Sequence, residues 1–286
     1  MTTGKKWLRP HYYFQHSYKL LGVIERLVKK NTGILKASLR KIKVDFLVAG
    51  TQKGGTSALD VYLRSHPQIC MANRKEVHFF DNEKIFRWGL IKKLFYHSNF
   101  NPESHHRVIG ESTPIYMYWT EAPKRIWQYN PEMKIIIILR NPVERAFSHW
   151  NMERDRNKDK LTFWDAIQQE RERCREALPF QHRFFSYVDR GFYSQQLRSI
   201  WHYFSEKQTL ILKNEDLRYN PINTLKRVTD FLEIDAFHHI EATSVHHRPY
   251  ITYMTSKEKD YLIYIYMDEI KILEKMLCWD CSDWLA

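Results

Sequence analysis

The chain has 286 residues, 43% of them hydrophobic and 15% aromatic, and a formal net charge of +12. That length makes one large α/β domain or two small ones and buries roughly 75% of the unfolded surface, which excludes a chain too short for a real core. The charge asks for an anionic partner (a nucleotide, a sulfated or phosphorylated ligand, nucleic acid or a membrane surface) without choosing among them.

No window holds the ~18 consecutive apolar residues of a membrane span, so no transmembrane segment is expected. The first thirty residues are broken by Lys19, Glu25, Arg26, Lys29 and Lys30 and do not read as a secretory leader, so the expected location is cytoplasmic. The four cysteines suggest no disulfide framework. Cys278 and Cys281 form a C-x-x-C without a second pair at zinc spacing, and the paired histidines at 105–106, 238–239 and 246–247 point apart on any regular backbone. No metal site is expected.

In chain order, an amphipathic helix over Tyr18–Lys30 and a basic stretch over Lys36–Lys43 form an N-terminal extension, residues 1–43, ahead of a domain over 44–286. The domain opens on the apolar run Phe46-Leu-Val-Ala49, a buried strand. The segment Gly50-Thr-Gln-Lys-Gly-Gly-Thr-Ser57 follows as a glycine turn into a helix over Thr56–Ser65. Such a turn aims backbone N–H groups and a positive helix end at one point, which suits a phosphate. Gly50 and Gly55 take the two glycine positions of G-x-x-x-x-G-K-[ST], but Thr56 stands where the lysine belongs, and Lys53 lies inside the loop instead.

Further strands are expected at Gln68–Met71, Val108–Gly110, Lys134–Leu139 and Thr209–Lys213. Helices are expected over Glu121–Tyr129, Val143–Arg156, Thr162–Arg175, Gly191–Phe204, Pro221–Leu232 and Lys257–Leu277. This alternation predicts a single P-loop-like α/β domain, with a central, mainly parallel sheet of about five strands and helices on both faces. The ligand site then falls at the carboxyl ends of the strands. The strand Lys134–Leu139 ends in Arg140, where a nucleoside triphosphatase carries a magnesium-binding aspartate. Phosphate is thus expected to be held by fixed cations and backbone donors. Arg140 also has a structural reading, as the ion-pair partner of Glu144 or Glu111.

These segments together resemble the PAPS-dependent sulfotransferases (PAPS being 3′-phosphoadenosine 5′-phosphosulfate), most closely the heparan sulfate or carbohydrate type, over about Asp45–Leu285. Gly50–Ser57 resembles the family's 5′-phosphosulfate loop, and Leu139-Arg-Asn-Pro-Val-Glu-Arg-Ala-Phe-Ser148 its 3′-phosphate motif, with Arg140 and Ser148 as ligands. Lys75-Glu-Val-His-Phe-Phe-Asp81 resembles the segment that carries the catalytic base. Gly191–Trp201, Leu212–Leu217 and Ser282–Leu285 match as well.

The resemblance implies PAPS as cofactor, adenosine 3′,5′-bisphosphate as product, and a sulfuryl acceptor that is a small metabolite, sugar or glycolipid. Lys53, with the N–H groups of Gly54, Gly55, Thr56 and Ser57, would stabilise the leaving phosphate. Glu76 would be the base, the plain alternative being a surface carboxylate paired with Lys75 or Arg74. His78, two residues on in an extended segment, would face the same side as Glu76. Tyr193 and Arg248 are the candidates for holding adenine and ribose. Ser112 stands where the heparan enzymes carry a lysine that meets an acidic polysaccharide, which argues against a polyanionic acceptor. A P-loop kinase and a non-catalytic nucleic-acid-binding protein are the alternatives. The displaced lysine counts against the first, and basic residues spread along the whole chain count against the second.

Overall fold

The computed structural model describes residues 42–88, 91–237, 240, 250 and 252–286. The expected helix over Tyr18–Lys30 and the loop carrying Arg248 lie outside the described residues.

Five strands, β1 (Phe46–Gly50), β2 (Ile69–Met71), β3 (Val108–Ser112), β4 (Lys134–Leu139) and β5 (Thr209–Lys213), form one sheet in the order β2-β3-β1-β4-β5. Every pairing is parallel. β1 is buried along its whole length, and β4 at all but its first residue, as the near-continuous apolar runs require of central parallel strands.

Alternation along these strands feeds two cores. Phe46, Val48, Ile136, Ile138 and Leu212 point to one face, where they meet Leu59 and Leu63 of α1 (Thr56–Ser65) and Leu225, Val228 and Leu232 of a later helix. Leu47, Ala49, Ile135, Ile137 and Leu139 are buried on the other. The expectation of helices on both faces therefore holds. Residues Lys43–Ala286 form one compact unit.

The remaining helices are α2 (Glu83–Phe86), α3 (Ile91–His97), α4 (Ala122–Tyr129), α5 (Pro142–Asp155), α6 (Phe163–Gln168), α7 (Glu170–Arg175), α8 (Tyr193–Trp201), α9 (Asn214–Tyr219), α10 (Pro221–Leu232) and α11 (Ser256–Leu277). The one long helix expected over Thr162–Arg175 is two, broken at Gln169 (φ −93°, ψ 0°). The break turns the Glu170 carboxylate inward, where it accepts the Val188 and Asp189 amides at 2.7 and 2.8 Å. α11 starts in a capping box: Thr255 accepts from the Glu258 amide, and Glu258 accepts from the Thr255 amide. α2, α3 and α9 were not anticipated. They have four, seven and six residues, too short for a 3.6-residue period to show.

The strand order fixes where a ligand can sit. The chain leaves β1 for β2 on one side of the sheet and leaves β4 for β5 on the other, yet β1 and β4 are neighbours. The connections diverge at that point, which opens a crevice at the carboxyl ends of these two strands.

Candidate active site

The loop leaving β1 is clamped from beneath. The Thr51 amide donates to the Ile138 carbonyl and the Gly54 amide to the Thr51 carbonyl, both at 2.9 Å. Asn214 Nδ2, at the start of α9, donates to the Gly54 carbonyl at 2.9 Å. A Cβ on Gly54 would lie 2.4 Å from the Ile138 carbonyl oxygen, and one on Gly55 would lie 2.4 Å from Asn214 Nδ2. Gly55 also has φ +106°. Both glycines are therefore required by the close seating of the loop on β4 and α9.

Gly55 is the N-cap of α1, with no side-chain cap and no acidic residue in the first turn. The first amides of a helix have no acceptor within it, so this end is a positive pole open to an anion. Lys53 sits half-buried in the loop with φ +68°. Its charge, with those of Arg190 and Arg145, adds to burial in keeping His149 neutral beneath the loop.

The segment after β2 brings the expected base to this pole. Lys75 Nζ donates to Ser57 Oγ at 2.9 Å and to Glu76 Oε1 at 3.2 Å, so one ammonium bridges the first turn of α1 and the carboxylate. The Glu76 amide donates to the Ser112 carbonyl at the end of β3, at 2.9 Å. His78 faces Glu76, with Nε2 3.6 Å from Oε2, but the backbone is not extended there. Glu76 and His78 have φ of +59° and +55°, so two left-handed residues, with Val77 buried between them, produce the shared side.

Behind His78 the chain of contacts continues. His78 Nδ1 is 2.9 Å from Asp81 Oδ2, and Arg183 donates to that same oxygen at 2.5 Å. Burial alone would raise the Glu76 carboxyl, but the His78 bond and the Lys75 charge outweigh it and hold it down at about 2. Burial would lower the His78 imidazole, but bonds to Asp81 and Glu76 lift it to about 9. At neutral pH the group is a carboxylate against an imidazolium. The ionised Glu76 has the unprotonated oxygen that a general base requires, and the contacts that hold it low also weaken it as a base.

On the neighbouring strand, Arg140 leaves β4 and bonds Glu144, one turn into α5, at 3.1 and 2.6 Å. The structural partner is thus Glu144. Glu111 is buried elsewhere and accepts the hydroxyls of Tyr96, Tyr116 and Thr113. Asn141 caps α5 by accepting the Val143 amide, and Pro142 opens the helix. Ser148 lies buried two turns into α5, and no hydrogen bond joins it to Arg140 among the described residues.

Tyr193 is 0% exposed, and its hydroxyl donates to the Arg140 carbonyl at 2.9 Å. It ties down the end of β4, with its ring enclosed in this structure. The C-terminal segment closes this side. Trp284 is buried and its carbonyl accepts from Asn141 Nδ2, while Lys213 lies between the Trp279 and Trp284 rings.

The structure thus brings Lys53, Gly54, Gly55, Thr56, Ser57, Glu76 and His78 around one helix end, with Arg140 one strand away. Reading the sequence missed the bridging role of Lys75, the Asp81–Arg183 support, and Arg190, which bonds Gln52 in the loop. Only the i, i+3 spacing of His78 and Asp81 was open to inspection. Arg183 and Arg190 arrive from more than a hundred residues away. A groove of about 600 Å³, lined in part by Tyr118, His182, Asp189 and Phe192, contains none of the expected site residues.

The parallel sheet and the clamped glycine loop at the end of β1 define a P-loop-like α/β protein. A sulfotransferase domain model matches residues 43–272, and the chain belongs to that family. The human heparan sulfate glucosamine 3-O-sulfotransferases 6 and 3B1 are 33% identical over 192 residues and 31% identical over 194. Each alignment takes in 65% of this chain, with 51% and 45% of the respective relative, so the chain spans about half the length of the curated relatives it matches. A solved sulfotransferase from Alicyclobacillus acidocaldarius superposes with a TM-score of 0.74 over 86% of this chain and 100% of that one, at 24% identity, which shows a common fold. No helix among the described residues is long and apolar enough to cross a membrane.

Proposed function

We propose that this chain transfers a sulfuryl group from PAPS to a hydroxyl, or an amine, of a small metabolite, sugar or glycolipid, without a metal ion. The observation that carries this reading is the Lys75 bridge, which puts the carboxylate of Glu76 one ammonium away from the first turn of α1. An anion held at that turn is therefore next to a base. The residues fit the cofactor: the turn carries no competing acid or cap, and a second cation, Arg140, stands at the end of the adjacent strand, about 4.8 Å across the sheet.

Bound PAPS would supply the activated sulfuryl group and its phosphate leaving group. Glu76 takes the proton of the acceptor hydroxyl, while His78, held cationic by Asp81, keeps the carboxylate oriented. Lys53 and the amides of Gly54, Gly55, Thr56 and Ser57 stabilise negative charge on the leaving oxygen. Arg140 and Ser148 would hold the 3′-phosphate, and the family resemblance assigns Arg248 to the nucleotide.

The relatives are glucosamine 3-O-sulfotransferases, which favours a sugar-like acceptor for this chain too. Ser112, buried at the end of β3 with its carbonyl accepting the Glu76 amide, stands where the heparan enzymes carry a lysine, so the proposed acceptor is less acidic than heparan sulfate. The four free cysteines suit the reducing cytoplasm, where we place the reaction; cell fractionation tests that placement. Incubation with PAPS and a metabolite extract, read by mass spectrometry, tests the activity and identifies the acceptor. A rise in melting temperature with adenosine 3′,5′-bisphosphate in the presence of a chelator is expected. Stabilisation by ATP with magnesium alone would refute the PAPS reading.

A further inference from the structure

Arg190 carries a buried charge that the protein does not answer. Its side chain is 1% exposed, at the turn leading into α8. Nε donates to Ser186 Oγ at 2.9 Å, Nη1 to Gln52 Oε1, and Nη2 to the carbonyls of Arg183 and His182 at 2.9 and 3.4 Å. The guanidinium lies 4.5 Å over the Tyr118 ring. Every one of these partners is neutral, and no carboxylate lies within ion-pair distance of Arg190 among the described residues. Burial first, then the charges of Arg145 and Arg183, pull its pKa down to about 10, against the opposing pull of Tyr118 and Glu153. A desolvated guanidinium without a counter-ion is costly, and such a cost persists where an anion is due to arrive.

The contact with Gln52 says where. Gln52 immediately precedes Lys53 in the glycine loop and is half-buried. Guanidinium has donors only, so Gln52 must present its Oε1 to Arg190, and its Nε2 with two N–H donors is then turned away from Arg190. A loop glutamine without this partner would be free to flip its amide and offer an oxygen to an anion.

We propose that Arg190 is a positioning residue for donor binding: it locks the Gln52 amide with its N–H donors toward an anion in the Gly50–Ser57 loop, and its own charge is offset when that anion binds. This rests on the reading of the loop as the 5′-phosphate site. It gives Gln52 direct contact with the 5′ end of the nucleotide and gives Arg190 none.

The test is a double-mutant cycle on Arg190→Met and Gln52→Leu, with affinities measured by calorimetry. The ligands are adenosine 3′,5′-bisphosphate and adenosine 3′-monophosphate, which lacks the 5′ group. Each single variant is expected to weaken the bisphosphate by about tenfold or more and to leave the 3′-monophosphate within about twofold, because only the 5′ group gains charge-assisted bonds there. The double variant is expected to be no weaker than the worse single one, the mark of two residues acting through one contact.

Arg190→Lys, which keeps charge and donors but not the fork, is expected to recover part of the loss. Equal losses for both ligands, or losses that add, would show that Arg190 merely supports the fold and would overturn the proposal. If Arg190→Met does not fold, Gln52→Leu carries the test alone: unchanged bisphosphate affinity refutes the link and a selective loss upholds it. Failure of the unsubstituted protein to bind the bisphosphate is read before any variant is made. It would overturn the loop assignment itself, and this proposal with it.

Discussion

The two ends of the crevice are held by opposite strategies. At the β1 end, charges alternate in an unbroken chain: Lys75, Glu76, His78, Asp81 and Arg183 each touch a neighbour of opposite sign. At the β4 end Arg140, just beyond the strand, pairs with Glu144, one turn into α5. The first arrangement keeps its geometry because moving any member leaves an unpaired charge on the next, Asp81 being fully buried. The second is an i, i+4 pair with Glu144 half in solvent, and opens at little cost. On the proposed reading, the chemistry falls in the rigid region and the phosphate clamp in the one that can exchange partners.

The sharpest way to break this contrast is at Glu76. Glu76→Gln keeps the shape of the chain of charges but removes the proton acceptor. Turnover with PAPS is expected to fall by about a hundredfold to ten-thousandfold, with bisphosphate affinity nearly unchanged. Unaltered turnover would take Glu76 out of the mechanism and leave the β1 chain as structure only. The next effect belongs to the other end. Arg140→Ala should weaken adenosine 3′,5′-bisphosphate by about 2 kcal/mol, roughly thirtyfold, since it deletes a charge-assisted contact to the 3′-phosphate. Equal affinity by calorimetry would relieve Arg140 of that role.

A third test reads the rigidity of the β1 chain through pH. His78 is raised from 6.5 to about 9 in the folded protein. Protons are held more tightly folded than unfolded, so its contribution to stability is fully present below about 6.5 and disappears as pH rises through about 9. Glu76, lowered from 4.5 to about 2, contributes above about 4.5 and loses that contribution as pH falls toward 2. The melting-temperature gap between the native chain and His78→Gln should therefore be widest between about pH 4.5 and 6.5, and close toward pH 9. The gap should be about 1–3 °C, because His78 is partly solvated. A gap that does not vary with pH would mean that the imidazole is held by packing and carries no charge in the chain.

The same contrast decides what the sequence could reveal. All five strands, and α1 and α10 to the residue, were legible because parallel central strands and amphipathic helices write their burial into local periodicity. The glycine loop was legible because its backbone needs Gly54 and Gly55 where β4 and α9 press on it. Arg140 was legible as a cation ending a buried strand. What stayed hidden are contacts made by folding alone. The Arg183–Asp81 and Arg190–Gln52 bonds join residues separated by 102 and 138 positions, and no short-range pattern announces them. Tyr193 shows the same limit: its burial under the strand that carries Arg140, and its bond to the Arg140 carbonyl, could not be read from its place beside a cofactor motif. His78 reached its expected side by a route no periodicity encodes, through two residues of positive φ.

The smallest effect tests the exchange of partners at the β4 end. If the 3′-phosphate takes Arg140 from Glu144, binding costs the Arg140–Glu144 attraction, and the freed carboxylate is left near the phosphate. Glu144→Gln removes both penalties while preserving the side-chain volume and the start of α5, which Asn141 and Pro142 define. Bisphosphate affinity should rise by about two- to fivefold, in line with a partly exposed ion pair worth under ~1 kcal/mol. The gain should shrink as salt screens the competing carboxylate. Adenosine 5′-monophosphate, with nothing to offer Arg140, should bind both proteins alike. A variant that binds more weakly would reverse the picture: Glu144 would then be aiming Arg140 at the phosphate, and the β4 end would be preorganised like its neighbour. A gain confined to the 3′-phosphate would instead identify Glu144 as the residue that recaptures Arg140 when product leaves, trading affinity for release.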